Sequence, residues 1–137
     1  MEKHFCNYNQ SLALNELGYD ENCLAFYQKE YTEETPVMID DDYQYRLTGW
    51  RTCRNSEIPK HYTSAPLKSQ VFDWARKYKL SVVIHDLRDD YEANIIEWTL
   101  DDDKISYGFL QPFETYEEAE SACIDKLIEI VKNNLDK

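Results

Sequence analysis

Ser81-Val-Val-Ile-His-Asp-Leu-Arg-Asp-Asp-Tyr-Glu-Ala-Asn-Ile-Ile-Glu-Trp-Thr-Leu-Asp-Asp-Asp-Lys-Ile-Ser-Tyr-Gly-Phe-Leu110 is the stretch that decides the fold class. Three runs rich in β-branched and aromatic residues, Ser81 to Leu87, Tyr91 to Leu100 and Ile105 to Leu110, are divided by Arg88-Asp-Asp and Asp101-Asp-Asp-Lys. Connections this short join only antiparallel neighbours, so the pattern predicts a meander. Ile105, Tyr107 and Phe109 alternate onto one face. Ala93 and Ile95 alternate in one phase and Ile96, Trp98 and Leu100 in the other, which predicts a bulge near Ile95-Ile96.

Helices flank this meander. Upstream, Ser64 is placed to cap and Pro66 to occupy the first turn of a helix, since proline lacks only an amide hydrogen left unpaired there. Leu67, Val71, Trp74, Ala75 and Tyr78 make its apolar stripe, and Lys68, Ser69, Asp73, Arg76 and Lys77 fall away from it. Downstream, Thr115 and Glu118 form a capping box. Tyr116, Ala119, Cys123, Leu127, Ile130 and Val131, widened by Ile124 and Ile128, then make a face broad enough to lie across a sheet.

The first half carries weaker signals. Ser11 to Leu17 reads as a short helix with Gly18 ready for the left-handed position that ends it. Leu24 to Lys29 and Tyr43 to Leu47 read as strands, Thr32 to Asp42 as a loop, and Thr48 to Thr63 as irregular. The order α-β-β-α-β-β-β-α predicts an α+β fold in which an antiparallel sheet of about five strands carries its helices packed on one face. With three glycines and four prolines in 137 residues there is no linker signal, so a single domain spanning 1–137 is expected.

Charge is segregated along the chain. The net charge is −12, yet Met1 to Tyr45 balances at −8, Arg46 to Arg88 at +6, and Asp89 to Lys137 at −10. An aromatic content of 14% sets this apart from a disordered acidic chain, so the acidity belongs to a folded surface. Flanks of that density repel one another unless something cationic lies between them.

Chemistry-bearing patterns are few. There is no Cys-x-x-Cys pair, and neither His4 with Cys6 nor Cys53 with His61 has structural-zinc spacing, so no metal is expected. The aspartates at 40–42, 89–90 and 101–103 lack the spaced pattern of a calcium loop and read as turn chemistry. His85 sits mid-strand, with Asp86 pointing to the other face, so no acid–base pair is expected. Three glycines build no phosphate loop, and no catalytic residue or cofactor is assigned. Met1 to Cys6 shows no apolar run and no segment has membrane-span length, which predicts a cytoplasmic protein, no membrane contact, and four reduced thiols.

Ser64-Ala-Pro, Gln70-Val-Phe-Asp-Trp-Ala-Arg-Lys-Tyr78 and Thr115 to Lys132, with the opening Leu14-Asn-Glu-Leu-Gly-Tyr-Asp20, resemble a family of small uncharacterised proteins of Bacteroides-type bacteria and their phages and prophages. The resemblance covers most of the chain. It implies a mobile-element or host-accessory origin and carries no catalytic residues with it.

Three functional readings follow. The first is a non-catalytic binding or accessory protein acting through protein contacts. Its expected contact surface is the irregular segment Gly49 to Tyr62, where Trp50, Arg51, Arg54 and Tyr62 supply residue types that dominate interface hot spots. The competing reading of the same residues has Trp50 and Tyr62 plugging the core while the arginines pair with Asp40 to Asp42. The second functional reading is an acidic nucleic-acid mimic that inhibits a nucleic-acid-binding protein. A small enzyme with a cryptic site stands third. Direct nucleic-acid binding is disfavoured, because a chain at −12 repels phosphate.

Overall fold

The computed structural model describes residues 2–28, 36–39, 52–101 and 103–136. The fold is α+β and divides into two compact units, Met1–Leu67 and Lys68–Lys137.

In the first unit α1 (Tyr8–Glu16) precedes β1 (Ala25–Gln28), β2 (Val37–Met38) and β3 (Tyr62–Ser64), with short 3-10 turns at Glu2–His4 and Asn55–Glu57. α1 begins one turn earlier than predicted because Asn7, not Ser11, caps it. Asn7 Oδ1 accepts from the Gln10 amide at 2.8 Å, and the Gln10 side chain accepts from the Asn7 amide at 3.0 Å. Ser11 is buried inside the helix instead. The helix stops as expected at Gly18, whose φ of +91° is left-handed. Its amide bonds to Asn15 O and the Tyr19 amide to Leu14 O, which satisfies the last carbonyls.

The three strands pair antiparallel in the order β2-β1-β3, with Phe26 opposite both Val37 and Ser64. β1 is buried on both faces. Ala25 and Tyr27 join Phe5 and Ala65 in a cluster flanked by Tyr8, Met38 and Leu67, while Phe26 meets the Tyr62 ring edge-on at 5.2 Å. The Tyr27 hydroxyl donates to Cys6 O at 2.6 Å, so the largest polar group in the cluster is satisfied.

In the second unit α2 (Lys68–Ala75) runs into a 3-10 turn, Arg76–Tyr78, and Lys79 at φ +62° reverses the chain into β4 (Leu80–Asp86). β5 (Tyr91–Trp98) and β6 (Lys104–Gly108) complete the predicted meander in the order β4-β5-β6, and α3 (Tyr116–Leu135) follows. The Thr115 hydroxyl accepts from the Glu118 amide at 3.1 Å, as a cap should. α3 packs on the sheet face that carries Ala93 and Ile95, and it buries Ala119, Cys123, Ile124, Leu127, Ile130 and Val131.

Several expectations are corrected. The described strands form two three-stranded sheets, not one sheet of about five, and the order is α-β-β-β-α-β-β-β-α. The additional strands, Val37–Met38 and Tyr62–Ser64, lie in segments expected to be a loop and irregular. Ser64 therefore ends a strand and caps nothing; its amide donates to Asn55 Oδ1 at 2.9 Å. Lys68, expected on the wet side of its helix, is buried. No bulge occurs at Ile95-Ile96, because β5 runs in unbroken register with both neighbours there. Ile96 and Trp98 simply project from the opposite face of the sheet. The predicted strand Tyr43 to Leu47 lies outside the described residues.

A candidate binding cleft beside a register offset

The meander does contain a dislocation, further along. β6 leaves β5 after the pair Asn94–Gly108, and pairing resumes at Tyr91–Phe113. Between those pairs β5 advances three residues and the opposing chain five, so two residues are looped out. Both ends of the loop are fixed. Tyr91 and Phe113 exchange two backbone bonds of 2.8 Å, and the Phe109 and Phe113 rings meet edge-on at 5.2 Å. Pro112, which has no amide hydrogen to give a ladder, sits inside the excursion.

The opposite wall comes from the β4–β5 turn. Arg88 takes a φ of +86°, its amide donates to Asp86 Oδ1 at 2.8 Å, and the Leu87 amide donates to Asp90 O at 2.9 Å. Aspartate suits this turn because its short carboxylate binds the backbone two residues on.

Between wall and loop lies an open cleft of about 460 Å³. That is in the range of small-ligand and side-chain pockets. Leu87, Phe109 and Leu110 supply its apolar surface, and Glu92, Asn94 and Ser106 its polar one. Leu110 is as exposed as in an extended chain and Leu87 is half exposed. Asn94 Oδ1 is buried and has no hydrogen-bond partner among the described residues. Asp86 and Asp89 stand exposed in the adjoining turn. The arrangement can hold an apolar group against the two leucines while Glu92 and the turn aspartates hold a cation.

The residues singled out in sequence fall elsewhere. Trp50 and Arg51 lie outside the described residues. Arg54 is half-buried, its Nε donating to Asn22 Oδ1 at 3.3 Å. Tyr62 belongs to β3, its ring against Phe26 and 4.4 Å from the His61 ring. His85 is exposed. No cluster of three or more metal-ligating side chains occurs among the described residues. None of the cleft residues was marked as functional beforehand. The available signal was Gly108-Phe-Leu-Gln-Pro-Phe113, where a glycine, a proline and adjacent apolar residues break the alternation.

Three buried thiols and one carboxyl in residues that do not line the cleft are displaced from their ordinary values. Burial pushes the Cys53 and Cys123 thiols up to about 12 and raises Cys23, so all three are poor nucleophiles in the folded state. The Ser56 amide, donating at 2.8 Å, holds the Asp20 carboxyl below its ordinary value.

No protein-family model, curated protein or solved structure matches this chain. No helix among the described residues is long and apolar enough to cross a membrane.

Proposed function

We propose that this chain is a non-catalytic accessory protein that acts through protein contacts. Its cleft receives an extended partner segment in which an apolar side chain is flanked by lysine or arginine. The observation that carries this reading is the exposure of Leu87 and Leu110 on a mixed cleft that also holds Glu92. Covering one such leucine is worth about 1.5–3 kcal/mol, and large apolar groups gathered at a concave site mark recognition surfaces. The chain's charge of −12 favours a cationic partner and speeds its approach. Trp50, Arg51, Arg54 and Tyr62 make a second proposed contact, suited to an acidic partner. The family resemblance supports a setting in a phage or other mobile element, in the cytoplasm.

Selection from a random displayed-peptide library tests the cleft. Peptides with an apolar anchor next to lysine or arginine should emerge and lose at least tenfold in affinity for Leu110→Asp. Peptides that bind Leu110→Asp and Leu87→Asp as well as the parent would remove the cleft from the reading. The acidic-mimic alternative is favoured by the exposed carboxylates of Glu118, Asp125 and Glu129 on α3. It predicts purely basic binders without an anchor, displaced by moderate salt.

A further inference from the structure

In the first unit, Cys23 and Cys53 are directly opposite one another. They form an isolated antiparallel bridge in which the Cys23 amide donates to Cys53 O at 2.7 Å and the Cys53 amide to Cys23 O at 2.9 Å. A mutually hydrogen-bonded pair of this kind holds its α-carbons about 5.5 Å apart with both side chains on the same side. Disulfides most often span about 5.5–6 Å between α-carbons. Both residues are buried, and both are free thiols in this structure.

We propose that Cys23 and Cys53 are a redox pair, which a small-molecule disulfide of the glutathione class converts into an intramolecular cross-strand disulfide. One thiol gives up its proton and attacks the reagent disulfide, forming a mixed disulfide and releasing one reagent thiolate. The second thiol, deprotonated in turn, displaces the remaining reagent thiolate and closes the Cys23–Cys53 bond. Two electrons and two protons pass from the pair to the reagent, which leaves as two thiols.

In a hydrogen-bonded pair the β-carbons stand about 5 Å apart, against about 3.5–4.5 Å in a disulfide, so closure draws the two backbones together at the bridge. Cys53 Sγ donates to Ala25 O at 3.2 Å and Cys23 Sγ to Glu21 O at 3.4 Å, and both bonds end when the thiol protons leave. Ala25 O keeps its bond from the Ala65 amide at 2.9 Å. The Tyr19 and Ser64 side chains lie beside the Cys23 sulfur and can still donate to a disulfide.

The consequence is a clasp. Closing it ties the entry of β1 covalently to the segment that leads into Asn55–Glu57. Because burial keeps both thiols protonated, oxidation waits on local opening and is slow in the native state. Cys6 and Cys123, equally buried, serve as internal comparators.

The test uses the full chain, incubated with oxidised glutathione, quenched with acid, alkylated in denaturant, and digested with trypsin and a glutamyl endopeptidase. Cleavage after Glu16 and Glu21 separates Cys6 from Cys23. The expected product is a monomer 2 Da lighter, with Cys23 and Cys53 peptides linked, Cys6 and Cys123 alkylated, and full reversal by dithiothreitol. Its melting temperature should lie several degrees above the reduced form, as expected for closure of a loop of this length. Cys53→Ser should abolish the 2 Da loss. Four alkylated thiols after oxidation would overturn the proposal, as would a link involving Cys6 or Cys123 or an oxidised form that melts below the reduced one. The peptide map on the parent decides the matter even if Cys53→Ser fails to fold.

Discussion

The Tyr107 hydroxyl donates a 2.7 Å hydrogen bond to Glu97 Oε1 across adjacent strands, while Asn134 Nδ2 donates to the other carboxylate oxygen at 3.0 Å. β5, β6 and the last turns of α3 are thus joined through one carboxylate. The bond to Glu97 raises the Tyr107 pKa above its ordinary value, because it favours the protonated phenol. A group raised on folding contributes stability that is complete below its unfolded pKa and lost as pH rises through its folded one. Tyr107 should therefore titrate above the ordinary tyrosine value in an alkaline titration followed by NMR, and Glu97→Gln should bring it back toward that value. Tyr107→Phe should cost about 1 kcal/mol at neutral pH, toward the low end for a bond to a charged group because the site is partly wet.

Leu127 is fully buried on α3. Leu127→Ala should cost about 2–5 kcal/mol, read as a fall in the denaturant midpoint, and Val131→Ala somewhat less. Leu110→Ala, at an exposed rim, should leave the midpoint within about 0.5 kcal/mol of the parent. Equal effects at Leu127 and Leu110 would contradict the packing of α3.

Asn7 and Ser11 make a matched pair for the start of α1. Asn7→Ala removes the capping box and should destabilise by about 0.5–2 kcal/mol in thermal or urea melts. Ser11→Ala removes a buried hydroxyl that has no partner among the described residues, and should be neutral or mildly stabilising. The reverse ranking would restore Ser11 as the cap.

The thiols titrate late. The Cys53 and Cys123 pKa values of about 12 lie above the ordinary 9, so their stabilisation is intact below about pH 9 and lost as pH climbs from there. Freshly reduced protein should show slow thiol labelling when folded at pH 8 and four reactive groups in denaturant.

Stability should rise with ionic strength. The ion pairs Arg76–Asp73 and Lys126–Glu129 are local contacts at 3.5 Å and contribute little, whereas a net charge of −12 is self-repulsive. The melting temperature should climb between about 0.01 and 0.15 M salt, over which screening shortens to about 8 Å. A steady fall would mean that attraction between the basic middle and the acidic flanks dominates.

The second unit was the more legible half, and the reason is length. Leu80–Asp86 and Tyr91–Trp98 are long enough for β patterning to declare itself, and α3 spans more than five turns behind a recognisable cap. Val37–Met38 and Tyr62–Ser64 are too short to show any period, so they read as loop. Ile95-Ile96 misled because adjacent apolar residues look like a phase change when both faces of a strand carry apolar side chains. The cleft was hidden for another reason. It arises from an offset between Tyr91–Phe113 and Asn94–Gly108, a relation between distant positions that no local pattern records.

The excursion from Phe109 to Pro112 begins and ends on fixed ladder positions, Gly108 and Phe113. Residues can be added or removed between those anchors at little entropic cost, about 0.6 kcal/mol per doubling of a flexible loop, without shifting a strand pair. Mutation can therefore resize the aperture and exchange its rim while the scaffold is inherited unchanged. A lineage pressed by a changing partner would accumulate its variation there, at a site where novelty is cheap.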